Sequence, residues 1–334
     1  MRIFGVLPAE DLEHLATSFE ANFKNLKEVN FIVLGASGFL GKWIATFIKF
    51  LDCSSIFSGT LTLVVRDPNK LKELMDVTNV GKCKIVVSDT ISKSSFSHLQ
   101  ESHTVIIFAA TSTSSSGDNV GNSQSNGILL AERIIAALPC VPVTFVHLSS
   151  GGVYLPESRK LKAIPGNYPL QVTSKDLYIS EKLALEYWTP PQLCKEYVVS
   201  RNPRLFSFYG PGLQLDRHFA IAEFMRKGLE GKTILIKGNP NNLRSYLYPT
   251  DAIRQILEQC LTSEPKYSQI GSSRPISILE VAQIVAQEFD VEVEIEVSKE
   301  GFVNNYVPQD VAEAEEKNFV SGISLWAEWL KLSL

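Results

Sequence analysis

Asn30-Phe-Ile-Val-Leu-Gly35-Ala-Ser-Gly38-Phe-Leu-Gly41, running on to Phe50, is the stretch that decides the fold of this chain. Asn30–Leu34 is a β-branched and aromatic run with strand character, and Phe39–Phe50 reads as a helix. Between them stand three glycines in the pattern G-x-x-G-x-x-G. Glycine lets the turn adopt unusual backbone angles, and it lets the N–H groups of a helix N-terminus approach a pyrophosphate with no Cβ in the way. A glycine triplet alone carries little weight. With a strand before it and a helix after it, Gly35, Ser37, Gly38, Phe39, Leu40 and Gly41 read as a dinucleotide cradle.

The alternation continues outward. Strands are predicted at Thr60–Val65, Lys84–Ser88, Thr104–Ala109 and Val143–Leu148, with helices at Pro68–Met75, capped by Asp67, and at Gly127–Leu138. Continuous apolar strands separated by helices predict an α/β protein with a doubly wound parallel sheet, the Rossmann arrangement. Upstream, Leu12, Leu15, Phe19, Phe23 and Leu26 predict an amphipathic helix over Pro8–Leu26, appended before the first strand. Beyond about residue 200 the pattern loosens at the Tyr209–Gly212 break. Helices near Ala220–Glu230 and Leu279–Phe289 follow, predicting a smaller C-terminal substrate lobe interwoven with the first. The expected division is an N-terminal helical extension (1–28), a dinucleotide-binding domain (29–205 with about 245–272), and a substrate lobe (206–244 and 273–334).

The 334 residues are 45% apolar and 20% charged with a formal net charge of −4, an ordinary globular composition. Lys and Arg are spread without runs, so neither a nucleic acid nor an anionic membrane is expected as partner. The longest apolar runs fall well short of the ~18 residues needed to span a bilayer. The first residues lack the secretory pattern, and the five cysteines form no C-x-x-C and no ligand spacing with the five histidines. The expectation is a cytoplasmic protein without a metal site.

Strand ends locate the chemistry. An arginine at the end of the second strand accommodates the 2′-phosphate of a dinucleotide, whereas an acidic residue reads the 2′-hydroxyl. Arg66 stands there and Asp67 is already used as a cap, so NADP is favoured, with NAD possible. Asp89 is a candidate for the adenine, and Ala109 and Ala110 complete the cofactor set. The Ser/Thr tract Thr111–Ser116, with Ser112 as a candidate substrate contact, leaves the C-terminal end of a parallel strand, where ligands bind in open sheets. Of the ten tyrosines, Tyr178 alone has a lysine four positions on, Lys182, which on a helix lies on the same face. A phenol of pKa about 10 is a poor base at neutral pH, and nearby positive charge favours phenolate. The strand ending in Ser149-Ser150 brings a hydroxyl to the same end of the sheet.

From about residue 30 to 330 these residues resemble the extended short-chain dehydrogenase/reductase family, in its nucleotide-sugar epimerase/dehydratase branch. Arg204-Leu-Phe-Ser-Phe-Tyr209-Gly-Pro-Gly212 is similar to the family's R-x-x-N-x-Y-G-P segment. Arg244-Ser-Tyr-Leu-Tyr248-Pro-Thr-Asp251 is similar to the R-D-x-x-Y-x-x-D segment, whose arginine holds the nucleotide diphosphate. The resemblance selects Ser150 over Ser149 and implies that Ser150, Tyr178 and Lys182 are catalytic. Tyr178 takes a proton from a sugar hydroxyl, Lys182 lowers the phenol pKa and grips the nicotinamide ribose, and Ser150 bonds the reacting oxygen. Ser150, Arg204, Ser207 and Arg244 are the implied contacts to a nucleotide-diphospho-sugar, and the helices following Gly127 and carrying Tyr178 imply a homodimer.

The departures narrow the reaction. Dehydratases of this branch follow the catalytic hydroxyl with Asp-Glu, where this chain has Gly151-Gly152. The 3,5-epimerase-reductases place a histidine directly after Y-G-P, where this chain has Gly212. Ser207 replaces the substrate-binding asparagine and offers one donor where an amide offers two. A 4-epimerase is favoured, an NADPH-dependent 4-keto-sugar reductase is the alternative, a 4,6-dehydratase follows, and a non-catalytic NADP sensor or scaffold comes last.

Overall fold

The structure is a computed structural model describing residues 1–71, 83–99, 102–109, 123–139, 141–188, 198–216, 219–264, 267–296, 302–312 and 316–332. Six parallel strands form the central sheet: β1 (Asn30–Leu34), β2 (Leu61–Val65), β3 (Cys83–Val87), β4 (Thr104–Phe108), β5 (Val143–His147) and β6 (Val198–Arg201). Their spatial order is β3-β2-β1-β4-β5-β6. The strand order reverses at β1/β4, the point where open α/β sheets bind their ligands. β1 and β4 are buried throughout because both faces are covered. Phe31, Val33, Val105 and Ile107 enter one core, while Ile32, Leu34, Ile106 and Phe108 enter the other.

The major helices are α1 (Ala9–Phe19), α2 (Phe39–Cys53), α3 (Ser123–Ala137), α4 (Leu177–Tyr187), α5 (Ala220–Leu229), α6 (Pro249–Leu261), α7 (Ile278–Phe289) and α8 (Phe319–Leu332). Trp43, Ile44, Phe47, Ile48 and Leu51 of α2 are fully buried on the sheet, each contributing roughly 1.5–3 kcal/mol. Trp43 also donates its indole N–H to the carbonyl of Pro211 at 2.8 Å, binding α2 to the Tyr209–Gly212 turn. A separate core, with Phe224, Met225, Val285 and Trp326 among its members, holds α5, α7 and α8 together.

Four local expectations change. The Pro8–Leu26 helix is broken after Phe19 by a 3-10 turn at Glu20–Asn22, then resumes over Phe23–Leu26. Asp67 accepts the Asn69 N–H at 2.9 Å as a cap should, but the segment it opens is a 3-10 turn, Pro68–Leu71; the remainder of the predicted helix, 72–75, lies outside the described residues. The sixth strand, β6, was not expected: four residues at the sheet edge offer too little periodicity to read. The N-terminal helix is built into the body of the protein. Leu12, Leu15 and Phe19 are fully buried, and Asp11 receives the Tyr248 hydroxyl and the Lys317 ammonium, each at 2.6 Å.

Candidate active site

Several candidate residues follow the C-terminal ends of the parallel strands, the glycine turn after β1, Arg66 after β2, Asp89 after β3, Ala109 after β4 and Ser150 after β5, while Arg204, Ser207 and Arg244 lie on short strands outside that sheet. The glycine turn follows β1, with Gly35 at φ +78° and the Gly38 N–H donating to the Gly35 carbonyl at 2.9 Å. A Cβ on Gly41 would stand 2.1 Å from the Gly35 oxygen, so only glycine lets α2 start this close to the turn. Gly38 is exposed, and no side chain caps the α2 N-terminus. The result is an open cradle of backbone N–H groups that suits the pyrophosphate of a dinucleotide. Arg66 is exposed at the end of β2. The Asp67 carboxylate beside it is occupied by the Asn69 backbone N–H and side-chain amide at 2.9 and 3.1 Å. Asp89 is exposed after β3, its carbonyl held by Arg133 at 2.7 Å. Ala109 closes β4 through an N–H donated to Leu34. Ala110, Ser112 and the rest of the Thr111–Ser116 tract lie outside the described residues.

Beyond β5, Ser149–Ser150 pairs in parallel with Arg204–Leu205, which pairs with Gln269–Ile270. The two serines face different partners. Ser149 donates to the Glu186 carboxylate, which is also gripped by Arg204 at 2.9 and 3.1 Å. Arg204 further donates to Gly166 O and Tyr154 Oη at 3.2 and 3.3 Å, so its guanidinium is engaged in holding the loop beneath the site. Ser150 accepts the Gly152 N–H at 3.1 Å and lies 3.4 Å from the Tyr306 hydroxyl.

Tyr178 sits in the first turn of α4 because Asp176 caps that helix, accepting the Tyr178 and Ile179 N–H groups at 2.9 and 3.4 Å. Burial pushes its phenol up to about 12, Tyr306 adds to the rise, and hydrogen bonding with Ser150 opposes it. The residue as a whole is still 36% exposed. One turn on, the Lys182 ammonium lies 5.7 Å from the Tyr178 ring centre and donates to the Leu148 carbonyl at 2.7 Å. Burial lowers Lys182 to about 8, with Glu181 and Glu186 opposing. His147, fully buried below, is held neutral by burial and by the Lys182 charge.

Gly151 and Gly152 are packed against side chains. A Cβ on Gly151 would meet the Phe206 ring at 2.7 Å, and one on Gly152 the Ile179 Cδ1 at 2.4 Å. Ser207 lies half-buried on a short strand paired with Tyr246. Arg244, half-buried, donates to the carbonyls of Leu243, at 2.9 Å, and Asn304. Further along the same motif, Tyr248 and Asp251 are structural, bonding to Asp11 and to the Lys317 N–H.

Two residues at the site escaped the sequence reading. Tyr306, paired by backbone with Arg244, donates its hydroxyl to Leu205 O at 3.2 Å, leaving its oxygen to accept from Ser150 at 3.4 Å. The Arg159 guanidinium lies 3.8 Å above the Tyr306 ring centre. Neither sits in a spaced motif; a cation–aromatic pair separated by well over a hundred residues leaves no signal in a single sequence.

The family model for the NAD dependent epimerase/dehydratase family matches residues 31–267. A curated relative, UDP-glucuronic acid decarboxylase 6 of Arabidopsis thaliana, is 23% identical over 97 residues, 29% of this chain and 28% of the relative's length. Among solved structures, UDP-glucuronic acid 4-epimerase from Bacillus cereus, in complex with UDP-glucuronic acid and NAD, superimposes with a TM-score of 0.68. It is 17% identical, over 91% of this chain and 100% of its own. dTDP-glucose 4,6-dehydratase from Bacillus anthracis, in complex with NAD, superimposes with a TM-score of 0.69 at 16% identity, over 91% and 97%. At these identities the superpositions establish the fold.

Proposed function

The chain belongs to the NAD dependent epimerase/dehydratase family, and from that membership we propose that it acts on a nucleotide-diphospho-sugar by hydride transfer at a sugar carbon, with 4-epimerisation as the reaction. The observation that carries this reading is the grouping of Ser150, Tyr178 and Lys182 at the sheet edge that also bears the glycine cradle. When bound at the glycine cradle, the nicotinamide cofactor would supply the hydride acceptor. Tyr178 takes the proton of the sugar hydroxyl and Ser150 holds the reacting oxygen; Lys182, 5.7 Å from the phenol ring, does not lower the phenol as expected, since burial holds it up at about 12, and its proposed role is to grip the nicotinamide ribose. Arg244 anchors the diphosphate. Arg204 and Ser207, the other arginine and serine of the resemblance, support the site from beneath and beside it.

Gly151-Gly152, standing where dehydratases of this branch carry Asp-Glu, argues against dehydration, because neither residue has a side chain to donate or accept a proton. Reduction of a 4-keto sugar is the second reading, favoured by the exposed Arg66 with the neighbouring Asp67 occupied by Asn69, which suits NADP. The proposed assembly is a homodimer through α3 and α4, in the cytoplasm, with a dinucleotide domain over 29–205 and about 245–272 and an interwoven substrate lobe over 206–244 and 273–334. Among the described residues no helix is long and apolar enough to cross a membrane.

Two variants test the assignment. Tyr178→Phe should leave cofactor and sugar-nucleotide binding intact and reduce turnover at least ~10²-fold. Arg244→Ala should instead weaken sugar-nucleotide binding by removing a charge-assisted contact. Turnover undiminished in Tyr178→Phe would remove the mechanism.

A further inference from the structure

Two guanidiniums flank Tyr306. Arg159 stacks on the ring, 3.8 Å from its centre, while Arg244 lies on the paired backbone and turns toward the carbonyls of Leu243 and Asn304. Both are half-buried, and among the described residues neither has a carboxylate within ion-pair distance. Like charges held together out of water disfavour each other. Burial, and the Arg244 charge, lower Arg159 from its ordinary value, with only the Tyr306 phenol opposing. An anionic ligand relieves that repulsion.

The two cations stand differently toward the reacting atoms. Tyr306 reaches Ser150 Oγ at 3.4 Å, so Arg159 is one phenol ring from the hydroxyl that holds the reacting oxygen. Arg244 is engaged instead with the Leu243 carbonyl and the carbonyl of the exposed Asn304. In a hexose the diphosphate is carried on C1, across the ring from a reacting C4 oxygen, whereas the C6 substituent is the near neighbour of that oxygen. A carboxylate at C6 is planar and bidentate, the shape a stacked guanidinium presents its N–H edge to.

We infer that Arg159 is a specificity residue that recognises a carboxylate on the sugar, so that the preferred substrate class is a nucleotide-diphospho-hexuronate. This rests on the nucleotide-sugar reading above. The Arg159 carbonyl separately accepts the Asn305 N–H at 2.8 Å, which keeps the turn in place when the side chain is changed.

The test measures binding of UDP-glucuronate, UDP-glucose and UDP to the cofactor-loaded protein, for wild type, Arg159→Gln, Arg159→Lys and Arg244→Ala, with thermal unfolding as the folding control. Wild type should prefer UDP-glucuronate to UDP-glucose. Arg159→Gln should lose at least ~10-fold in affinity for UDP-glucuronate while UDP-glucose and UDP change by less than about twofold, and Arg159→Lys should recover part of the loss. Arg244→Ala should weaken all three. An equal loss of all three ligands in Arg159→Gln would make it a diphosphate anchor and overturn the inference, as would no loss at all. Failure of wild type to bind any of the three would overturn the nucleotide-sugar reading together with it.

Discussion

Replacing Lys182 by Met should stabilise the protein at neutral pH while removing turnover. Lys182 is 3% exposed, and burial lowers its pKa from 10.5 to about 8, the Glu181 and Glu186 carboxylates recovering only part of the loss. At about 1.4 kcal/mol per pKa unit, keeping the ammonium charged in the folded protein costs about 3 kcal/mol at pH 7. Met fills a similar volume without charge, but the Leu148 carbonyl loses its 2.7 Å donor, a cost of about 1 kcal/mol. The net expectation is a gain of about 2 kcal/mol. The folded pKa is the depressed one, so between about 8 and 10.5 the unfolded chain binds a proton that the folded chain has released. Wild-type stability therefore rises through that window relative to the variant, and the variant's advantage, full below it, disappears above it. Urea denaturation of both proteins at pH 7 and pH 9.5 reads this directly, since the variant-minus-wild-type difference cancels other titrating groups. A variant less stable than wild type at pH 7, or an advantage that grows toward pH 9.5, would refute the reasoning.

Gly41→Ala places a methyl 2.1 Å from the Gly35 carbonyl oxygen; it should destabilise by about 1–3 kcal/mol and weaken dinucleotide binding in a fluorescence titration. Arg66→Ala should weaken NADP at least ~10-fold and leave NAD unchanged; tighter NAD than NADP binding in wild type, unaltered by the variant, would remove the NADP preference. Leu129 on α3 is 51% exposed, and light scattering at micromolar concentration should give twice the 37.1 kDa chain mass, reverting toward the monomer in Leu129→Asp.

What could be read from the sequence was what local physics dictates. β1, β2, β4 and β5 announce themselves because strands covered on both faces are apolar at most successive positions, and the glycine turn is legible because it stands between a strand and a helix. Tyr178 and Lys182 are legible because one helical turn separates them. The residues that escaped are those that only the topology assembles. Tyr306 and Arg159 come from irregular segments with no periodicity, and Glu186 shows its role only once Ser149 and Arg204 are seen to converge on it. Arg204 illustrates the same limit from the other side: the motif marks it as important, and the fold shows the guanidinium engaged by Glu186 and Gly166. The Pro68 segment carries correct cap chemistry, yet cap chemistry opens a 3-10 turn as readily as a helix.

The most direct test of the central claim is incubation of the protein with UDP-glucuronate and UDP-glucose, with and without added NADPH, in wild type and Tyr178→Phe. Isomerisation of the sugar at C4 without added reductant is expected, reduced at least ~10²-fold in Tyr178→Phe. Stoichiometric NADPH loss would transfer the reaction to the reductase reading, and turnover of either kind that persists undiminished in Tyr178→Phe would contradict the account.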